Sequence, residues 1–391
     1  MGRHGRHLQR LSIPKKGDAA QDWSDTEGAS VAAQTAAFQP AGASIALASA
    51  IVVGGLEVVM RIPWMAFLVL AAGVAAAPLQ AQRGPAAPGA REVTVARIPG
   101  VVAAGATWTI AWQGTDNADG LVGMADGSVL FAQEQPRRVS KLDADGRVST
   151  YLDNTHGVGS VALDAGGRLW GVERTCTDPG GSPAQCTEPT AVAIIAPQRR
   201  VLASQFDGKS LGRLNDLVVD RRGGAYFTSG GAFYVDATGR VTSLGDDIRA
   251  NGVMLSPDEK VLYVTNGASV LAWDVDADGS ARNRRTFGTL QAGGSGDGLA
   301  IDAAGRLYVT AQQGGVQVFA ADGAYLGAIP TPRNAISVAF AGRDKAMLYI
   351  VGSGALGPDG REFRTPEGVR NNAKTIYRLP MLARGFAGRA K

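Results

Sequence analysis

Histidine and cysteine are rare in this chain of 391 residues, which holds three His and two Cys. His156 is the only His beyond the first ten residues. The cysteines, Cys176 and Cys186, stand in CTDPGGSPAQC, a segment rich in Pro and Gly that offers too few further ligands for zinc. In an exported protein such a pair predicts a disulfide that closes a surface loop.

A strong excess of charge is also missing. The chain has 39 Lys and Arg against 35 Asp and Glu, a formal net charge of +4, and no basic cluster is interleaved with aromatic residues. We therefore expect no nucleic-acid partner. The composition, 45% hydrophobic with 53 Gly, is that of a globular protein rich in turns.

A hydrophobic run long enough to span a membrane is not evident, because the apolar stretch at residues 64–77 is shorter than the about 20 residues that a spanning helix needs. The stretch follows Met60 and Arg61 and is followed by Pro-Leu-Gln-Ala. This order is typical of a secretory signal over residues 60–81, cleaved after Ala81. The alternative is an apolar membrane anchor.

A signal so far into the chain suggests that Met60 is the true start. Residues 1–59 are then a disordered or wrongly assigned extension. Residues 82–90, with several Pro and Gly, form a linker, and residues 91–391 form the folded domain. The signal and the cysteine pair agree on a periplasmic or secreted protein with no stable membrane span after cleavage.

No segment beyond residue 119 shows a sustained helical period, and one strand pattern recurs instead. Each unit has a short apolar strand, a turn with Asp or Gly, and a second apolar strand. The units read DGLVGMADGSVLFAQE from 119, GSVALDAGGRLWGVER from 159, NDLVVDRRGGAYFTSG from 215, NGVMLSPDEKVLYVTN from 251, DGLAIDAAGRLYVTAQ from 297 and ISVAFAGRDKAMLYIVG from 336.

Further strand-like segments follow each pair. Units of about 40–45 residues with four antiparallel strands each predict an all-β fold, a six-bladed β-propeller. Such a ring must be closed, or two sheet edges stay exposed. The missing strand of the last blade, beside residues 374–380, comes from residues 91–98 or 107–113 at the N-terminal side.

Polar residues precede the apolar core of most first strands. First strands line the central channel of a propeller, so residues in this register form a ring at one mouth. The column reads Asp119, Gly159, Asn215, Asn251, Asp297 and Ile336. Its two carboxylates and two amides suit a hard divalent cation. For any single member the alternative is a turn residue that bonds its own backbone.

Second strands return to the same face and place further polar residues there. Glu134 and Glu173 end two of them, and His156 lies in the loop that enters the second unit. The carboxylates are candidates for the channel mouth, and the imidazole for a general base or a substrate contact. Solvated loop residues and a structural His are the alternatives.

The motifs RLNDLVVDRRGGAYFT, NGVMLSPDEKVLYVTN and GDGLAIDAAGRLYVT resemble the regucalcin/gluconolactonase family of six-bladed, metal-dependent lactonases. The resemblance covers roughly residues 115–380. It implies one divalent cation, Ca²⁺ first and Zn²⁺, Mn²⁺ or Mg²⁺ as alternatives. The implied metal ligands are Asp119, Asn215, Asn251 and Asp297, with Asp297 also the catalytic acid/base.

The resemblance also implies substrate contacts. Arg213 matches the family's substrate-binding Arg, and Asn215 and Asp216 follow it. The chain departs from the family where Asp119 stands for Glu and where Gly159-Ser160 stands for Asn-Gly.

The activity that this implies is hydrolysis of a sugar lactone by an exported monomer. Arg213 and Asp216 would bind substrate, with Glu134, Glu173 and His156 as further candidates. The cation would polarise the lactone carbonyl, and Asp297 would position or deprotonate water. A metal-dependent hydrolase of aryl esters or phosphotriesters and a non-catalytic periplasmic ligand-binding propeller are the alternatives.

Overall fold

The computed structural model describes residues 89–174, 188–364 and 372–388. The chain is an all-β propeller in which strands follow one another antiparallel, and a 3₁₀ turn at Arg343–Lys345 is the one helical element in the described ranges. No described helix has the length and apolar character needed to cross a membrane. Cys176 and Cys186 lie outside the described residues, as do residues 1–88.

Four sheets in the described ranges have four strands each. The first holds β2 (Leu121–Gly123), β3 (Val129–Gln133), β4 (Arg138–Leu142) and β5 (Val148–Leu152). The second holds β6 (Val158–Leu163), β7 (Leu169–Glu173), β8 (Ala191–Ala196) and β9 (Arg200–Ala203). The third holds β18 (Leu299–Ile301), β19 (Leu307–Thr310), β20 (Val316–Phe319) and β21 (Tyr325–Ile329).

The fourth of these sheets joins the two ends of the domain. Its order is β1 (Thr109–Gly114), β24 (Lys374–Pro380), β23 (Met347–Ser353) and β22 (Ala335–Ala341). Of the two segments predicted to close the ring, the one at 107–113 does so. Residues 91–98 instead place Val95 and Ile98 in a buried apolar cluster with β20 and β22.

The remaining strands form one sheet of six and one of two. The larger contains β12 (Leu217–Val219), β13 (Ala225–Val235), β14 (Val241–Leu255), β15 (Val261–Asn266), β16 (Ser269–Val275) and β17 (Ala281–Thr289). The smaller pairs β10 (Gln205–Phe206) with β11 (Lys209–Ser210). β14 is long enough to pair with β13 and then with β15, so it runs from one predicted unit into the next.

The innermost strands contact one another in a closed circle. Their order is β2, β6, β12, β14, β18 and β22, and β22 contacts β2 again. The apolar core lies between neighbouring sheets, as where Tyr308 packs edge-on against Phe340 with ring centroids 4.9 Å apart. The sequence pattern explains this, because both faces of an inner strand are buried and its residues are apolar throughout.

The Asp residues that follow several first strands fix tight turns. Asp302 Oδ1 accepts hydrogen bonds from the backbone N–H groups of Ala304 and Arg306, both 2.9 Å long. Asp164 and Asp220 make the same pair of bonds to residues two and four positions later. A side-chain oxygen that satisfies successive N–H groups stabilises such a turn. These three Asp residues therefore have turn roles.

Candidate active site

The predicted ring of polar residues lines one cavity. Four of them line it: Asp119, Asn215 and Asp297 each lie two residues before an inner strand, and Asn251 lies within β14. The cavity measures about 10 Å³, room for a single water-sized occupant. The other lining residues are Gly120, Ser160, Asp216, Gly298, Leu299, Ile336, Ser337 and Val338.

Hydrogen bonds from second strands and between neighbouring inner strands hold part of the ring in register. Thr228 Oγ1 donates to the carbonyl of Asn251, and Thr265 Oγ1 lies 3.3 Å from the carbonyl of Asp297. The backbone N–H of Gly298 donates to Ile336 O at 3.0 Å. Asn251 and Asp297 are thus held through their backbone carbonyls by the second strand beside each of them.

Asp216 lines the cavity, but its carboxylate is occupied by the fold. Oδ1 accepts hydrogen bonds from Ser160 Oγ at 2.7 Å and from the N–H of Leu217 at 3.0 Å, and Oδ2 accepts one from the N–H of Val253 at 3.0 Å. The three donors lie on β6, β12 and β14. Asp216 therefore ties three inner strands together at the mouth of the ring.

Glu134 reaches the channel mouth, where it holds the guanidinium of Arg213. Its Oε1 and Oε2 lie 3.1 Å and 3.2 Å from Arg213 Nη1 and Nη2. The Glu134 side chain is 2% exposed and that of Arg213 is 37% exposed. A bidentate pair of this kind fixes the orientation of the guanidinium. Glu134 therefore positions Arg213, which presents its charge to solvent.

The residue that the sequence reading missed is Arg174, directly after β7. Its side chain is 2% exposed, and Nη1 lies 2.9 Å from Asp119 Oδ2 and 3.3 Å from Glu134 Oε2. Nη2 donates to the backbone carbonyl of Asn215. Burial alone would lower the pKa of Arg174, but Asp119 and Glu134 more than compensate and raise it above its ordinary value. A permanent positive charge thus lies beside two members of the ring.

Gly159 explains how Arg174 fits there. The pairing of β6 with β7 shifts register between Val158 and Ser160, which makes Gly159 the extra residue of a bulge. A Cβ atom at Gly159 would lie 2.0 Å from Cζ of Arg174. The ring position that carries no side chain is therefore filled by the guanidinium of the neighbouring strand.

The charges at the mouth leave the site negative. Four carboxylates (Asp119, Glu134, Asp216 and Asp297) against two guanidinium groups (Arg174 and Arg213) give a formal charge of −2. Burial, followed by the charges of Asp119 and Asp216, raises the pKa of Asp297 well above its ordinary value, and Arg174 and Asn251 oppose this shift.

The donor set fits a hard divalent cation. The cavity is lined by carboxylate and amide oxygens, and a charge of +2 would neutralise the cluster. Within the described ranges no three His, Cys, Asp or Glu side chains lie close enough to share an ion. A cation at this position therefore depends on the amide oxygens of Asn215 and Asn251 as well as on carboxylates.

The two remaining candidates are not among the residues that line this cavity. Glu173 precedes Arg174, so its side chain leaves β7 on the opposite face, where Arg199 binds both carboxylate oxygens at 3.0 Å and 2.8 Å. His156 is partly buried, with Nδ1 3.8 Å from Glu188 Oε2. Both groups belong to a cluster around Arg199 and Glu188.

Comparison with known proteins identifies the family. The family model described as SMP-30/Gluconolactonase/LRE-like region matches residues 117–354, more than half of the chain. The chain belongs to this family. The matched range contains the whole ring, Arg174 and Arg213, so the resemblance seen in the sequence motifs is confirmed.

Three relatives align with this chain over most of their own length. A gluconolactonase from Zymomonas mobilis is 25% identical over 281 residues, which are 60% of this chain and 76% of the relative. A pentonolactonase from Haloferax volcanii is 29% identical over 49% of this chain and 70% of its own. A regucalcin from Xenopus laevis is 27% identical over 58% and 79%.

Solved structures share the propeller fold. A gluconolactonase from Xanthomonas campestris superposes with a TM-score of 0.58 at 23% identity, covering 76% of this chain and 98% of that one. A calcium-binding regucalcin from Agrobacterium tumefaciens gives a TM-score of 0.54 at 18% identity, with 70% and 93% covered.

Proposed function

We propose that this protein is a divalent-metal-dependent hydrolase that opens a sugar lactone. The observation that carries the proposal is the cavity at one mouth of the ring, where four oxygen-bearing side chains from four inner strands meet. The family supports it, since relatives are named gluconolactonase and pentonolactonase.

The metal would be held by Asp119, Asn215, Asn251 and Asp297. Calcium is the first choice because the donors are all oxygen and a regucalcin is among the relatives, with zinc, manganese or magnesium as alternatives. A cation bound there would polarise the lactone carbonyl and stabilise the negative charge that develops on its oxygen.

The side chains supply the proton transfer and the binding. Water adds to the carbonyl carbon and the ring C–O bond breaks. The proton that the Asp297 carboxylate takes from the water passes to the departing ring oxygen. Arg213, oriented by Glu134, donates to substrate oxygens.

Two finer features of the molecule are part of the proposal. We infer six blades, with the six-stranded sheet counted as two that β14 joins, and the closed circle of six inner strands supports this count. We also infer that the protein is exported, supported by the signal-like residues 60–81, and that it is a monomer. N-terminal sequencing of the natural product tests whether Met60 is the true start, and a precursor peptide from residues 1–59 would contradict that start.

A panel of lactones, assayed with calcium and after removal of metal by a chelator, tests the activity. We expect turnover of a sugar lactone that depends on added metal and is abolished by Asp297→Asn and by Asn251→Ala. The matched control is Asp322→Asn, whose carboxylate lies in an exposed turn and bonds Ala324 N. Full activity of chelator-treated enzyme would refute metal dependence.

The same panel separates the alternatives. Turnover of aryl esters or phosphotriesters without turnover of lactones would assign the site to another class of ester. Binding of a lactone without turnover, with metal present, would favour a ligand-binding propeller.

A further inference from the structure

The guanidinium of Arg174 is the least expected group at the ring. It comes from the end of β7, fills the space beside Gly159 and bonds Asp119 and the Asn215 carbonyl. Both of these residues are metal ligands in the proposed function. A buried positive charge is thus in direct contact with one proposed ligand group, the Asp119 carboxylate, and lies 3.4 Å from another, the side-chain oxygen of Asn215.

We propose that Arg174 sets the metal affinity of this site by competing with the divalent cation for Asp119. The inference rests on the proposed function, because it concerns the same four ligands. It makes Arg174 a positioning residue that acts through Asp119 and Asn215, since its own side chain is 2% exposed and does not reach substrate.

Charge pairing supports this competition. Asp119, Arg174, Glu134 and Arg213 form a continuous chain of alternating charge with contacts between 2.9 Å and 3.3 Å. The four groups together have no net charge. The net negative charge that the mouth offers a cation then comes from Asp216 and Asp297.

Geometry supports it as well. Asp119 Oδ2 accepts the bond from Arg174, so an ion that used this oxygen would share it with the guanidinium. A metal that drew on Asp119 would also approach a like charge in a partly buried site, where the repulsion is weakly screened. Arg174 therefore weakens the site in two ways.

A structural role for Arg174 makes a different prediction. The side chain also joins the sheet of β2–β5 to β12, through Glu134 and the Asn215 carbonyl. If it served only to hold the ring together, its removal would leave calcium binding unchanged or weaken it. Competition predicts that calcium binding becomes tighter.

The test is calorimetric titration of calcium into chelator-stripped full-length protein. We expect Arg174→Gln to lower the dissociation constant on the order of tenfold or more, since one pairing charge is lost and Asp119 is released. The matched control is Arg333→Gln, because Arg333 is an equally buried Arg paired with Glu362 at 2.6 Å and 3.0 Å. It is expected to bind calcium like the wild type.

A second variant keeps the inference testable if Arg174→Gln fails to fold. With Arg174 intact, Asp119→Asn is expected to weaken calcium binding less than about threefold, because the charge of Asp119 is already neutralised. Where Arg174→Gln does fold, the same change in that background is expected to cost about tenfold or more. Such coupling between two side chains is what competition requires.

The outcomes are distinct. Unchanged or weaker binding by Arg174→Gln, or a loss beyond about threefold in Asp119→Asn alone, overturns the inference and leaves the metal site standing. Calcium binding by Arg174→Gln but not by the wild type supports the inference and overturns metal dependence of the natural chain. No binding by either protein overturns both.

Discussion

Replacement of Asp216 by Asn is expected to destabilise the whole propeller rather than to weaken substrate binding. The carboxylate accepts hydrogen bonds from Ser160, Leu217 and Val253, which belong to three inner strands. An amide of the same shape has a single acceptor oxygen. If that oxygen takes the place of Oδ1, the NH₂ group faces the N–H of Val253 and this hydrogen bond is lost.

The size of the loss follows from these contacts. A buried donor left without an acceptor costs about 1–3 kcal/mol, and the two remaining bonds weaken because their acceptor is no longer charged. Removing a negative charge beside Asp119 and Asp297 returns on the order of 1 kcal/mol. We therefore expect Asp216→Asn to lower the free energy of unfolding by about 2 kcal/mol.

Urea unfolding followed by circular dichroism measures this difference. The slope against urea should stay constant, because the exposed surface does not change, while the midpoint falls. Ser160→Ala removes one of the three bonds and is expected to cost about 1 kcal/mol. Asp153→Asn, which replaces an exposed carboxylate that bonds only its neighbour Asn154, serves as the control and should cause no measurable loss.

Measurement of KM for the lactone distinguishes this structural role of Asp216 from a role in substrate binding. If Asp216 were a substrate contact, Asp216→Asn would raise KM for the lactone and leave the urea midpoint at the wild-type value. That combination would refute the assignment of its carboxylate to the link between strands.

The remaining predictions concern the pocket, the ring carboxylate and the closing strand. Glu134→Gln should raise KM several-fold with little change in kcat, since Arg213 loses its bidentate partner; equal KM values would contradict this. Because the folded state raises the pKa of Asp297, metal-free protein should lose stability as pH rises from the ordinary carboxylate pKa to the raised one. Asp297→Asn should abolish that loss in urea midpoints measured across pH, and an unaltered pH dependence would exclude Asp297 as its source. Trp112→Ala should lower the free energy of unfolding by about 2 kcal/mol, because a half-buried ring that packs 5.0 Å from Phe131 is removed.

Repetition made much of the fold predictable. Each quoted unit contains the strands that the structure has, since a strand buried on both faces must be apolar and the turn between two strands needs Asp or Gly. The ring was predictable for the same reason. Asn215, Asn251 and Asp297 precede equivalent apolar triplets, and equivalent positions in neighbouring blades must meet.

Arg174 could not be placed in this way. Side chains alternate between faces along β7, so whether Glu173 or Arg174 enters the mouth depends on the register with β6. The bulge at Gly159 shifts that register by one residue. The sequence does contain a signal, which is the combination of two residues. Gly159 is a ring position without a side chain, and Arg174 is a long cationic residue at the end of the facing strand.

The role of Asp216 was open for a related reason. A carboxylate one residue beyond the ring column either faces the cavity or bonds the backbone, and Asp216 does both. Its partners Ser160 and Val253 lie far away in sequence. No local pattern predicts bonds that form only when three strands from different repeats are side by side.

The pairing of β1 with β24 imposes an order on how this molecule is made. Thr109 lies opposite Arg378, and these residues are 269 positions apart. On the ribosome, the inner strands emerge one after another while the partner of β1 is still untranslated. The propeller therefore stays open until synthesis is almost finished, and the backbone groups of an edge strand stay unpaired until then. Closure of the propeller is a single late event, and a chain that stops before residue 374 lacks the strand that pairs with β1.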